Sequence, residues 1–129
     1  MPVHEVDFEK FLFYKNLLYQ KFGINDPNYF NILGFSFQYN IKDDYTEVHY
    51  DGGWDLAGVV YLTPAAPRNS GTAFFKNENN RFVKVFETEN LYNRAIIYPA
   101  TLYHEGQNFF GTSVKDSRLN LAFFAKTNY

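Results

Sequence analysis

A compact chemical motif stands at Val48-His49-Tyr50-Asp51, flanked by Thr46-Glu47 and by Gly52-Gly53. It predicts a short strand that runs into a glycine turn. Side chains two apart on a strand share a face, so His49 and Asp51 should project together. An imidazole and a carboxylate converging from one strand supply two corners of a metal site. The chain has three histidines: His4 near the start, His49, and His104 on a predicted strand after Pro99-Ala100. With His104 turned inward, the set becomes two histidines and one carboxylate. A closed structural zinc site needs a fourth protein ligand, whereas a catalytic site keeps a position open. The plain alternative is a surface His–Asp pair with no metal.

Two histidines and one carboxylate with open positions suit a non-haem iron(II) centre that uses O2. Fourteen residues beyond His104 stands Arg118. On the predicted last strand Arg118, Asn120, Ala122 and Phe124 share one face, and Leu119, Leu121 and Phe123 share the other. An arginine on an otherwise small or apolar inner face invites an anion. Its fork can hold a carboxylate by two charge-assisted bonds, and Asn120 points the same way. Tyr39 and Tyr61 lie on earlier strands and could each turn a phenol towards that carboxylate. Trp54 could wall the site mouth or plug the barrel end, the first being preferred. Arg68, in the loop 64–71, could meet a substrate. Plain readings stand beside these: a salt bridge from Arg118 to Asp116 or Glu105, ordinary packing for the tyrosines, and solvation for Arg68.

The elements that must position these residues follow from periodicity. Asp7 can cap a helix over about 7–22 that stops at Gly23, with Phe8, Phe11, Leu12, Leu18 and Phe22 on its apolar side. From residue 29 the period becomes two: Gly34, Ser36, Gln38 and Asn40 alternate with Phe35, Phe37 and Tyr39. Residues 56–63 are apolar on both faces and predict a central strand. Strands are further expected at 72–75, 94–98, 101–105 and 117–126, with a polar turn at 76–80. Residues 81–93 predict a strand followed by an irregular piece. Many short strands behind one helix predict a mainly β sandwich or barrel over about 29–126, and the whole chain, 1–129, a single domain. A jelly-roll would bring distant strands together at one open end.

Composition narrows the function. The 129 residues are 46% hydrophobic and 21% aromatic, with a formal net charge of −2 and no cysteine. Disulfides and thiol chemistry are excluded. The charge balance disfavours nucleic acid and anionic membranes as partners. With no signal peptide or membrane-spanning stretch expected, the simplest placement is a reducing cytoplasm.

The residues also resemble a family. His49-x-Asp51, then His104, then Arg118 is similar to the pattern of 2-oxoglutarate- and iron(II)-dependent oxygenases, and most to their prolyl-hydroxylase-like branch. Tyr39, Val59-Val60-Tyr61-Leu62, Gly71-Thr72-Ala73-Phe74-Phe75 and Arg118-Leu119-Asn120-Leu121-Ala122-Phe123-Phe124 stand in the same order. Asn93-Arg94-Ala95-Ile96-Ile97-Tyr98 and His104-Glu105-Gly106 resemble small uncharacterised bacterial and phage proteins of that superfamily. The resemblance covers about residues 29–126. It implies a double-stranded β-helix (jelly-roll) with one N-terminal helix. It implies iron(II) on His49, Asp51 and His104, and 2-oxoglutarate held at its far carboxylate by Arg118, with Tyr39 or Tyr61 assisting. O2 would then be used to hydroxylate a C–H bond, releasing succinate and CO2. Halogenating relatives lack the carboxylate that Asp51 supplies. Many relatives carry a basic or hydroxyl partner where this chain has Asn120.

Three readings therefore enter the structure. The first is an oxygenase acting on a small molecule or peptide. The second is a non-catalytic jelly-roll binding or structural module. The third is a metal enzyme indifferent to Arg118. An exposed sheet edge could pair, so a monomer or a homodimer is expected.

Overall fold

A computed structural model describes residues 8–128. Its one α-helix, α1, spans Phe8–Phe22. Phe11, Tyr14, Leu18 and Phe22 follow the helical repeat, pack on the first sheet, and place Leu18 fully out of solvent. Leu12, expected on that face, lies roughly 120° round the helix from Leu18 and is 40% exposed; Tyr14 takes its place. The predicted stop holds. Gly23 adopts a φ of 64°, and the N–H groups of Gly23 and Ile24 bond the carbonyls of Gln20 and Tyr19 at 3.3 and 2.9 Å, a Schellman closure. The Asp7 cap lies outside the described residues.

Seven strands follow: β1 Phe30–Asn40, β2 Leu56–Tyr61, β3 Thr72–Glu78, β4 Arg81–Thr88, β5 Ala95–Pro99, β6 Tyr103–Gly106 and β7 Arg118–Thr127. They form two antiparallel sheets, ordered β1-β7-β2-β5 and β4-β3-β6. The pairing is nested. β1 pairs with β7, His49 bridges to His104 on β6, β2 pairs with β5, and β3 pairs with β4. Successive pairs alternate between the two sheets, as one long hairpin would if rolled upon itself. Its tip is Asn79-Asn80, both at positive φ, the conformation that a two-residue hairpin turn requires.

Two expectations change here. Residues 76–80 are not a polar turn, because Lys76, Asn77 and Glu78 complete β3 and only Asn79-Asn80 turns. Their polarity reflects exposure at the hairpin tip. The His49 segment is not a full strand either. Only His49 pairs, and the Asp51 N–H leaves the ladder for the Ala100 carbonyl at 2.8 Å as Gly52-Gly53 turn the chain away.

Two apolar layers flank the first sheet. On the α1 side lie Phe35, Val60, Leu121, Phe123 and Ala125 with Leu18. Between the sheets lie Ala57, Phe74, Tyr98 and Ala100, with Trp54, Ile96 and Phe124 against them. Among the described residues no helix is long and apolar enough to cross a membrane.

Gly58 shows how closely the α1-side layer is filled. It pairs in register with Phe123, and a Cβ there would sit 2.2 Å from the Phe123 ring and 2.3 Å from the Ile96 carbonyl. Overpacking of this kind costs about 1–3 kcal/mol. Gly58→Ala should lower the urea midpoint by that free energy divided by the slope, with the slope itself unchanged; an unaltered midpoint would contradict this packing.

Candidate metal centre

The centre begins with main-chain geometry. The His49 N–H bonds the His104 carbonyl at 3.0 Å, and the His104 N–H bonds the His49 carbonyl at 2.8 Å. Residues that exchange both bonds in an antiparallel pair send their side chains to the same face. The two imidazole rings accordingly lie 4.4 Å apart. Asp51, two residues along, joins them. Its carboxylate oxygens stand 3.2 Å from His104 Nε2 and 3.8 Å from His49 Nε2. One ligand atom from each of the three residues lies within 4.8 Å of the others.

The tautomers follow from the partners. His49 Nδ1 is 2.7 Å from the Glu47 carbonyl and His104 Nδ1 is 2.8 Å from the Leu102 carbonyl. A carbonyl only accepts, so each Nδ1 carries a hydrogen, and a ring in its neutral form, the form that binds a metal, presents Nε2 as a lone pair. In that form two lone pairs and a carboxylate converge on one point. Such acceptors repel unless a cation sits among them. Fixing Nδ1 on a carbonyl is how metal-ligating histidines are commonly oriented. The group could hold a metal ion, and the donor set fits a divalent one with positions left open.

The triad lies at one side of a cavity of about 160 Å³ that Arg118 also lines, below the roughly 300 Å³ at which pockets for drug-sized ligands begin. Arg118 is only 4% exposed. Its Nε donates to the Ser70 carbonyl at 2.7 Å, one terminal nitrogen to the Gly71 carbonyl at 3.0 Å and the other to Asn120 Oδ1 at 3.0 Å. Three of the five guanidinium hydrogens are thus used, leaving one on each terminal nitrogen. The rings of Tyr61 and Phe109 flank the guanidinium at 5.7 and 5.4 Å. Among the described residues no carboxylate forms an ion pair with it. Asp116 instead binds the N–H groups of Thr112 and Ser113, and Glu105 accepts from Gln107. Burial lowers the Arg118 pKa, and Tyr61 and Tyr98 oppose that shift. A buried cation without a counter-charge is costly.

Four expected residues, His49, Asp51, His104 and Arg118, therefore face one cavity. Asn120 joins them as the aligner of Arg118. Tyr61 does not turn its phenol to the ligand space; its hydroxyl bonds Thr72 and Thr88 at 2.8 and 2.7 Å while its ring flanks the arginine. Tyr39 is a correction. It is 53% exposed and lies on the opposite face of β1 from Gln38 and Asn40, the two β1 residues that line the cavity. Trp54 packs on Phe124 at 5.9 Å and stands outside the cavity lining, so it does not wall the cavity. Arg68 sits on the surface, 3.6 Å from Glu89. Sequence reasoning missed Phe109 and Tyr98. Tyr98 closes the space between the sheets, and its pKa is raised by burial first and by Asp51 and Tyr61 next, with Arg118 opposing. Its alternation with Ile97 was the available signal.

A divalent metal in hundredfold excess over its Kd should stabilise the protein by about 2.7 kcal/mol. Thermal unfolding with cobalt(II) or manganese(II) should show that shift in wild type and in Arg118→Ala, and none in His104→Ala. A shift that survives in His104→Ala would remove the triad as the site. Compared with known proteins, the chain matches no family model and no curated protein.

Proposed function

We propose that this chain is an iron(II)- and 2-oxoglutarate-dependent oxygenase of the hydroxylase type, built on a double-stranded β-helix. The observation that carries the reading is the meeting of two opposite needs in one small cavity. Three acceptors at one side call for a cation, and a buried guanidinium calls for an anion. A short acid that chelates a metal at one end and carries a second carboxylate answers both. The nested, sheet-alternating pairing supports the fold, since rolling up one long hairpin gives that strand order.

The residues divide the task. His49, Asp51 and His104 would hold iron(II) through Nε2, carboxylate oxygen and Nε2. Arg118 would grip the far carboxylate with the hydrogen left on each terminal nitrogen, and Asn120 keeps that fork aligned. Tyr61 and Phe109 keep water off the guanidinium faces, which strengthens the grip. Asp51 fills the position whose loss would admit a halide. With iron bound, the chemistry supplied is the hydroxylation of a substrate C–H bond, as O2 and 2-oxoglutarate become the product hydroxyl, succinate and CO2.

The test needs no substrate. Under anaerobic conditions, iron(II) followed by 2-oxoglutarate should give the visible charge-transfer band of a chelated 2-oxo acid. His104→Ala should abolish the band. Arg118→Ala should raise the 2-oxoglutarate Kd by about 30–150-fold, the loss of charge-assisted bonds totalling about 2–3 kcal/mol. A band indifferent to Arg118 would point to a metal enzyme of another kind. No band from folded, metal-loaded protein would leave the binding module.

A further inference from the structure

Among the described residues, Tyr98 is the phenol that lines the cavity, and its hydroxyl is unaccounted for. It lies on β5, and its ring is wedged 4.8 Å from the His104 ring and 5.0 Å from that of Phe74. The residue is 8% exposed and lines the cavity that the triad opens onto. Its hydroxyl has no hydrogen-bond partner among the described residues, whereas the Tyr61 hydroxyl has two. Among the described residues the one fully enclosed side-chain polar atom without a partner is Asn90 Oδ1, so the Tyr98 hydroxyl is not sealed in the core but opens onto the cavity. A phenol bears its proton at neutral pH, so this hydroxyl is free to donate to an acceptor that enters the cavity.

We infer that the Tyr98 hydroxyl binds the ligand directly, donating a hydrogen bond to an oxygen of the acid next to the His49, Asp51, His104 triad and not to the carboxylate held by Arg118. This rests on the oxygenase reading for the identity of the acid. The placement rests on packing. The Tyr98 ring lies against His104, while the guanidinium of Arg118 is flanked by Tyr61 and Phe109. The triad end is also where a chelating 2-oxo acid concentrates its acceptors. Tyr98 thus differs from the role the sequence offered to Tyr39 and Tyr61, which was at the opposite end of the ligand.

Tyr98→Phe removes only the hydroxyl and keeps the ring packing. The metal-induced thermal shift should match wild type, which reports an intact triad. Anaerobic titration with 2-oxoglutarate should then need about tenfold more acid, the effect of one lost hydrogen bond to a charged acceptor. The charge-transfer maximum should also move, because the lost bond was to an oxygen of the chelate. Arg118→Ala should weaken binding without moving the maximum. A wild-type band with a Tyr98→Phe variant unchanged in affinity and maximum would overturn the role of Tyr98 alone. Weaker binding with an unmoved maximum would overturn its placement at the triad. Absence of a band in wild type would overturn the oxygenase reading and this inference with it.

Discussion

The reciprocal main-chain pair between His49 and His104 is the contact on which the site depends. Two N–H···O bonds fix two imidazoles on one face, and they do so for residues far apart in the chain. The ladder around them is one residue wide, so it cannot hold itself. Its register is inherited from the longer pairs on either side of it in the nesting, β1 with β7 and β2 with β5. Long-range pairing pays its loop-closure entropy only once a whole set forms together. The rolled hairpin lets every pair lean on the next, so Asp51 can leave the ladder without losing its position.

The second constraint is the charge of Arg118. Taking a guanidinium out of water costs several kcal/mol, and neutral carbonyls and one amide offset only part of that. A chain that needed only stability would gain by an apolar residue there. The burial also works in favour of binding. Flanking rings and a narrow cavity lower the local dielectric, so an arriving carboxylate is attracted more strongly than it would be in water. On the proposed reading the triad repeats the logic with the opposite sign, since three converging donors gain a partner when a cation enters. Each half of the cavity is incomplete in a way that the same small ligand set would complete.

Much of this was legible in the sequence, and the misses share a cause. Period-two alternation assigned both faces of β7 correctly, and His49 and Asp51 fell together for the same reason. Alternation does not say which face is inward. On β1 the apolar residues Phe35 and Phe37 suggested an inner face that would include Tyr39. Helix α1 covers that face instead, through Phe11 and Tyr14 on Phe35, and the polar residues Gln38 and Asn40 line the cavity. Tyr61 was read on the correct face, but its hydroxyl partners Thr72 and Thr88 come from other strands and no local pattern reveals them. Trp54 was misjudged likewise, because its neighbour Phe124 is distant in the chain. Residues 76–80 misled because polar composition marks a solvated strand end as readily as a turn.

Stability and function separate here by the parity of a residue number. Along β7 the side chains of Leu121, Phe123 and Ala125 belong to the layer under α1, and those of Arg118, Asn120 and Ala122 to the cavity. One strand thus carries an apolar set that holds the fold and, interleaved with it, a polar set that weakens it. That arrangement explains how so short a chain bears a buried arginine and three converging acceptors. The α1 layer gathers eight buried apolar residues, and its burial offsets what the cavity gives up.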